Sequence, residues 1–169
     1  MSWRRAYPWL DAIPQKFCAN ISTLFFLGSL KAPGTWGSAA GALFAFFAMR
    51  GLHCAPYIIA TLALIYLAIG ICDIGEKFFN QTDPGKINFD EFVAMPICYI
   101  GIFCGSISHQ SLWIWVLAGF ILFRFFDILK PLGIKKIQNL SGGLGCVMDD
   151  VVAALCVCVI LNVAKLLIL

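Results

Sequence analysis

Two pairs of adjacent acidic residues are the clearest candidates for chemistry in this chain. Asp90 and Glu91 stand just before one apolar run, and Asp149 and Asp150 stand just before another. The helix dipole explains a single carboxylate at a helix start as well as a functional role does. Two adjacent acids, found twice, exceed what a helix start requires. Because clustered carboxylates repel one another and attract a hard cation, these four residues predict a Mg²⁺ site.

A second group of charged residues recurs along one predicted helical face. Arg124, Asp127 and Lys130 are spaced at i, i+3 and i+6, and Lys130 precedes Pro131, where a helix should end. One interpretation is a salt bridge between Arg124 and Asp127, with Lys130 extending to the lipid headgroups. The other is catalytic: Asp127 serves as a base or a metal ligand, and the two cations neutralise phosphate oxygens. The sequence leaves both interpretations open.

Two glycine-rich segments add candidate phosphate-binding groups. Ser141–Gly145 leads into the run that carries the second acidic pair, and Pro33–Ser38 leads into the first long apolar run. Glycine-rich turns at helix starts expose backbone N–H groups that favour anions. The alternatives are helix capping by the hydroxyls and close helix packing by the glycines. The candidates are Thr35, Ser38, Gly142, Gly143 and Gly145.

Several other chemistries lack their residues. Only two histidines occur, His53 and His109, and both fall in loops predicted on the opposite side from the acids, which excludes a Ser-His triad there. Neither a G-x-S-x-G elbow nor a P-loop is present. The eight cysteines contain no C-x-x-C pair and are predicted to be small apolar packing residues. A net charge of +3 with no basic stripe excludes nucleic acid as a partner.

The elements that position these residues are predicted from composition. Of 169 residues, 61% are apolar and only 12% are charged, against roughly 25% charged residues in a soluble domain. The chain is therefore predicted to be one membrane-embedded, all-α domain over residues 1–169. A crossing helix needs about 20 apolar residues. Five stretches approach that length: Gly34–Met49, Pro56–Cys72, Phe92–Ser106, Leu112–Phe126 and Val147–Leu167.

The segment Phe17–Leu30 is apolar but short and interrupted by polar residues, so we predict a re-entrant or interfacial helix. With five crossings, ten of the 12 Lys and Arg residues fall on one side of the membrane, and only Arg50 and Lys165 fall on the other. The positive-inside rule then places the N-terminus and the loops near 73–91 and 127–147 in the cytoplasm. The acidic pairs collect on that same side.

Three segments together resemble the phosphatidylglycerophosphatase A family of bacterial membranes. They are Ala32–Ser38, Asp83–Met95 and Phe123–Ala153, the last with F-R-x-x-D-x-x-K-P and G-G-x-G-x-x-x-D-D elements. The resemblance implies a Mg²⁺-dependent enzyme that removes the terminal phosphate of phosphatidylglycerol phosphate at the inner membrane. It also implies a site made of acids and two phosphate-facing cations. These are Asp90, Glu91, Asp127, Asp149 and Asp150, with Arg124 and Lys130.

Three positions depart from the family pattern without removing a charged candidate: Ala94, Gly133 and Ala154. Two other functions were weighed. A phosphoalcohol transferase would need a D-G-x-x-A-R element, which is absent. A cation transporter would hold its carboxylates near the bilayer midplane, whereas these collect at one surface. Direct attack by water and an aspartyl-phosphate intermediate both remain open, as do the number of metal ions and the oligomeric state.

Overall fold

A computed structural model describes residues 7–103, 109–131, 140 and 142–168. Every regular element within these residues is helical, which confirms the predicted all-α class. Short 3₁₀ helices cover Pro8–Ala12 and Phe25–Ser29, and a π-helical turn covers Ala45–Met49. The α-helices are α1 (Gln15–Ser22), α2 (Pro33–Phe44), α3 (Cys54–Phe79), α4 (Phe89–Cys98), α5 (His109–Leu129) and α6 (Gly143–Ile168).

Three helices among the described residues are long and apolar enough to cross a membrane. They are the 26-residue α3, the segment Leu112–Leu129 of α5 and the 26-residue α6. At 1.5 Å per residue, α3 and α6 are each about 39 Å long, more than the roughly 30 Å hydrocarbon core. These helices contain the predicted crossings Pro56–Cys72, Leu112–Phe126 and Val147–Leu167 in full.

The other two predicted crossings do not form helices of spanning length. In place of Phe92–Ser106 the structure has α4, whose ten residues reach only about 15 Å. Eight of those ten residues are buried in the protein, and the chain then turns at Gly101, where φ is +86°. In place of Gly34–Met49 the structure has the 12-residue α2 and the five-residue π turn. Three of the five predicted crossings therefore form helices of spanning length within the described residues, which is fewer than predicted. The apolar side chains of α4 are accounted for by its burial among neighbouring helices. Residues 104–106 lie outside the described residues.

The N-terminal segment Phe17–Leu30 also does not form a spanning helix. α1 ends at Ser22, and φ is positive at Leu24, the cap position of the 3₁₀ helix, and at Phe25, its first residue. Phe25 and Phe26 are exposed, at 60% and 72% of their surface. The short helix and its exposed aromatic side chains fit the predicted interfacial segment, whose position at a membrane surface stays a prediction.

Glycines on α2 allow its backbone to pack closely against α4. A Cβ atom on Gly37 would lie 2.5 Å from the carbonyl oxygen of Asn88, and one on Gly41 would lie 2.9 Å from Cα of Phe92. A Cβ on Gly34 would collide with the carboxylate of Glu91. These three small residues let helix backbones approach, as is common between membrane helices. The contact fixes the N-terminal turn of α4, which carries the first acidic pair.

Side chains of neighbouring helices satisfy the backbone around the C-terminal end of α4. Asn162 of α6 donates its amide N–H to the carbonyl oxygen of Ile100 at 2.8 Å, and Lys165 Nζ donates to that of Gly101 at 2.9 Å. Tyr57 of α3 donates its hydroxyl to the carbonyl oxygen of Pro96 at 2.8 Å. A helix that stops inside an apolar environment needs such partners because water is not available to its carbonyls.

Candidate active site

Three helix ends and one loop bring the acidic residues together around a cavity of about 120 Å³. The first turn of α4 carries Asp90 and Glu91, the second turn of α6 carries Asp149 and Asp150, and the C-terminal end of α5 carries Asp127. The loop between α3 and α4 completes the wall. The lining residues are Asp83, Gly85, Ile87, Asp90, Glu91, Asp127, Lys130, Cys146, Asp149 and Asp150.

The carboxylates are largely removed from water. Asp90, Asp149 and Asp150 have exposed fractions of only 5%, 3% and 3%. Burial raises the pKa of Asp90, and hydrogen bonds from Glu91 and Cys146 partly oppose that shift. Burial, followed by the charge of Asp90, raises the pKa of Glu91 well above its usual value, with Arg124 opposing. Acids that destabilise one another's charged forms in this way are favourable hosts for a cation.

Two basic side chains join the acids across helices. Arg124 Nη1 lies 2.6 Å from Asp127 Oδ2 and 3.7 Å from Glu91 Oε1, so it connects α5 to α4. The same nitrogen donates to Ser38 Oγ of α2 at 3.3 Å. The predicted salt bridge between Arg124 and Asp127 is thus present, and the arginine also contacts the α2 segment.

Lys130 lies just beyond the end of α5 and forms an ion pair with Asp149 of α6. Burial alone would lower the pKa of Lys130, but its hydrogen bond to Asp149 and that residue's charge outweigh burial, and the pKa is raised. The lysine head group therefore contacts the cavity, where it is held as a cation, and the alternative of extension to the lipid headgroups is not what the structure shows. Its side chain bridges the α5 end of the site to α6.

The donor set fits a hard divalent cation. Asp90, Glu91 and Asp150 each offer a carboxylate oxygen, and these three atoms lie within 4.8 Å of one another. Two further buried carboxylate oxygens, Glu91 Oε2 and Asp149 Oδ1, have no hydrogen-bond partner. Buried acceptors in proteins are nearly always satisfied, and a cation that takes oxygen ligands would satisfy these.

The predicted phosphate-binding glycines have packing contacts in this structure. Gly142 has φ +68°, which favours glycine, and a Cβ atom on Gly143 would collide with the α3 backbone at Ile69. The N–H of Gly145 donates to the carbonyl oxygen of Gly142 at 2.9 Å. These residues bring the start of α6 close to α3. Their contact with phosphate stays a prediction.

The two hydroxyl candidates on α2 do not cap that helix. The N-terminal cap position is Ala32, and the Thr35 N–H donates to its carbonyl oxygen at 3.0 Å. Ser38 is buried, and its hydroxyl donates to the carbonyl oxygen of Gly34 at 2.7 Å while it accepts from Arg124. Ser38 therefore orients the arginine, and a substrate contact by Thr35 stays a prediction.

Four residues of the cavity wall were not predicted from the sequence: Asp83, Gly85, Ile87 and Cys146. Asp83 was named only as the first residue of the segment Asp83–Met95, yet it lines the cavity, and its N–H donates to Glu76 Oε1 at 2.8 Å. Cys146 was assigned to packing, yet its thiol contacts Asp90. A signal for Cys146 was available, because it precedes Asp149 and Asp150 by three and four residues and so shares their helical face.

Comparison with known proteins assigns the arrangement to a family. The family model of Phosphatidylglycerophosphatase A matches residues 20–165, nearly the whole chain. The chain belongs to the phosphatidylglycerophosphatase A family. It is therefore an enzyme of the lipid phosphatase class, as the resemblance implied. The matched residues include every acid and cation of the cavity.

Three relatives span most of the chain. A phosphatidylglycerophosphatase A of Haemophilus influenzae is 39% identical over 126 residues, 73% of each protein. A phosphatidylglycerophosphatase A of Escherichia coli is 34% identical over 122 residues, 72% of this chain and 67% of the relative. A putative phosphatidylinositol-3-phosphatase of Bacteroides thetaiotaomicron is 32% identical over 139 residues, 79% of this chain and 84% of the relative. No solved structure matches the chain.

Proposed function

We propose that this protein hydrolyses the terminal phosphomonoester of phosphatidylglycerol phosphate, yielding phosphatidylglycerol and inorganic phosphate in glycerophospholipid synthesis. The family membership supports the reaction class and the substrate. The observation that carries the proposal is the convergence of Asp90, Glu91 and Asp150 within 4.8 Å beside the cation Lys130 in one buried cavity. Such a cavity matches the charge pattern of a phosphate with its divalent cation.

Mg²⁺ is the proposed cofactor, and Asp90, Glu91, Asp149 and Asp150 are the residues that would hold it. The unpartnered oxygens of Glu91 and Asp149 support this choice. When bound, the cation supplies Lewis-acid polarisation of the phosphate oxygens. The protein would contribute carboxylate oxygens from the first turn of α4 and the second turn of α6.

The remaining charged residues have different proposed parts in the reaction. Lys130 lines the cavity and would bind a phosphate oxygen, neutralising charge that develops on the transferred group. Arg124 is not among the residues that line the cavity, and it contacts Asp127, Glu91 and Ser38. It acts as a positioning residue that orients Asp127.

Asp127 is the proposed general base. It would accept a proton from the attacking water as the new P–O bond forms and the bond to the lipid glycerol breaks. The departing glycerol oxygen takes a proton from solvent, and inorganic phosphate leaves the cavity. An aspartyl-phosphate route would instead trap phosphate on a carboxylate of the protein, which acid quenching after reaction with radiolabelled substrate detects.

The membrane position of the site follows from which helix ends carry it. The acids lie at the start of α6 and the end of α5, and both helices contain segments long enough to cross a bilayer. The acyl chains of a lipid can then stay in the leaflet while its phosphate reaches the cavity. With the five predicted crossings, the positive-inside distribution supports the cytoplasmic face of a bacterial inner membrane as the location of this end.

The direct test is release of inorganic phosphate from phosphatidylglycerol phosphate by the detergent-purified protein, with Mg²⁺ and with chelator. We expect chelator, Asp90→Asn and Asp150→Asn each to lower the rate at least about 10²-fold, comparable to the loss of one major transition-state contact. Asp73→Asn is the matched control, because that carboxylate lies at the same end of the protein but outside the cavity lining.

Phosphatidylinositol 3-phosphate serves as the competing substrate, because one relative is a putative phosphatidylinositol-3-phosphatase. A higher kcat/KM for phosphatidylinositol 3-phosphate would replace the proposed substrate while leaving the site intact. Undiminished phosphate release in chelator and in both asparagine variants would refute the metal-carboxylate mechanism.

A further inference from the structure

The thiol of Cys146 lies among the carboxylates of the cavity. Cys146 is only 4% exposed, and its Sγ donates to Asp90 Oδ2 at 2.8 Å. The same sulfur lies 3.9 Å from Asp83 Oδ1. One ligand atom from each of these three residues falls within 4.8 Å of the other two. This group differs from the group of carboxylate oxygens of Asp90, Glu91 and Asp150. The two groups share only Asp90.

An independent observation indicates that this cavity takes a ligand. Asp149 is 3% exposed and lines the same cavity, yet its Oδ1 atom has no hydrogen-bond partner. Asp83, Asp90 and Cys146 line the same cavity as this carboxylate. Lys130 satisfies only the other oxygen. An acceptor so deeply buried and unpartnered is suited to a cation.

The two groups differ in the cations they should prefer. Carboxylate oxygens suit Mg²⁺, whereas a thiolate ligand favours softer ions such as Zn²⁺ and Cd²⁺. We propose that Asp83, Asp90 and Cys146 form a second cation subsite that binds a thiophilic divalent cation. The thiol proton leaves to solvent as the sulfur–metal bond forms.

The shared residue gives the subsite a functional consequence. A thiophilic cation held by Cys146 would engage Asp90, which the proposed Mg²⁺ site also requires. The enzyme should therefore be inhibited by Cd²⁺ or Zn²⁺ in the presence of Mg²⁺. This consequence rests on the proposed function, but binding at the subsite does not.

Direct binding is measured by titrating the detergent-purified protein, freed of metal, with Cd²⁺ and following the ultraviolet charge-transfer absorption of a cadmium–thiolate bond. We expect a saturable signal in the unaltered protein and its loss in Cys146→Ser. Asp83→Asn should retain the signal with at least about tenfold weaker affinity, since ligand-shell changes weaken metal binding by 10–100-fold. Cys156→Ser, on the same helix and outside the cavity lining, is the control and should bind normally.

Cys72 of α3 provides the discriminating variant, because it is a second buried thiol in the same core cluster as Cys146. Loss of the signal in Cys72→Ser together with unchanged affinity in Asp83→Asn would overturn the proposal in favour of a dithiol site. A signal that persists in Cys146→Ser would overturn it outright. If Cys146→Ser does not purify as a folded protein, the affinity of Asp83→Asn decides the question by itself.

The same preparations separate the two proposals. Mg²⁺-dependent phosphate release without Cd²⁺ binding refutes the subsite alone. Cd²⁺ binding that depends on Cys146 and Asp83, in a protein that releases no phosphate from the lipid, supports the subsite and refutes the proposed function.

Discussion

Substituting Gly37 by alanine tests whether the close contact between α2 and α4 positions the acidic site. The added Cβ atom would lie 2.5 Å from the carbonyl oxygen and 2.9 Å from Cβ of Asn88. Real Cβ atoms essentially never approach closer than 3.0 Å, so α4 must move by about half an ångström or more. The colliding oxygen is backbone, which cannot rotate away. Asn88 is the cap position that immediately precedes the turn bearing Asp90 and Glu91.

The expected losses of folding free energy and of kcat both follow from this displacement. Overpacking of this kind costs about 1–3 kcal/mol of folding free energy. A 1 Å misplacement of catalytic groups costs about 10²-fold in rate, so half that distance corresponds to roughly a tenfold loss of kcat. The assays are thermal unfolding in detergent and Mg²⁺-dependent phosphate release. Gly51→Ala is the matched control, because nothing lies within 4 Å of a Cβ atom at that position.

The reasoning would be refuted if Gly37→Ala and Gly51→Ala had the same unfolding midpoint and the same kcat. A lowered midpoint with unchanged kcat would show that the helix contact stabilises the fold without positioning the acids.

Three further changes test other parts of the structure. Asn162→Leu removes the donor to a carbonyl beyond α4 and should lower the free energy of unfolding by about 1–3 kcal/mol, measured by thermal unfolding; an unchanged midpoint contradicts this role. Lys130→Met leaves Asp149 without its ion pair and should raise KM and lower kcat for phosphate release, whereas unchanged kinetics would exclude a phosphate contact. In a cysteine-free background, a cysteine introduced at Lys86 should react with a membrane-impermeant thiol reagent only after the cells are permeabilised. A cysteine introduced at His53 should react in intact cells. The reverse pattern would show that the predicted topology is inverted.

The ionic contacts show how far local sequence reasoning reached. The salt bridge between Arg124 and Asp127 was predictable because residues three apart on one helix are neighbours whatever the rest of the chain does. The contacts of Arg124 with Glu91 and Ser38 were not predictable in detail, because they join residues far apart in sequence. They depend on how closely the glycines of α2 let that helix approach α4.

The acidic site also contains some residues that the local sequence could identify and others that it could not. The pairs at Asp90 and Asp149 were recognisable as unusual because adjacent acids at the start of apolar runs carry a local electrostatic cost. Asp83 and Cys146 were missed because a turn aspartate and a cysteine are each unremarkable by themselves. Their importance arises only from the folding of the loop and of α6 onto the same cavity.

The sequence alone determined that this is an apolar, all-helical chain with its scarce charges gathered at a few helix ends. Those properties are set by composition and by neighbours along the chain. The tertiary structure alone decided that α4 is a short helix, buried among its neighbours. An apolar run has the same composition whether it faces lipid or protein, and helix length and burial distinguish the two. The tertiary structure also placed a thiol beside the carboxylates, because that juxtaposition requires α6 to pack across the start of α4.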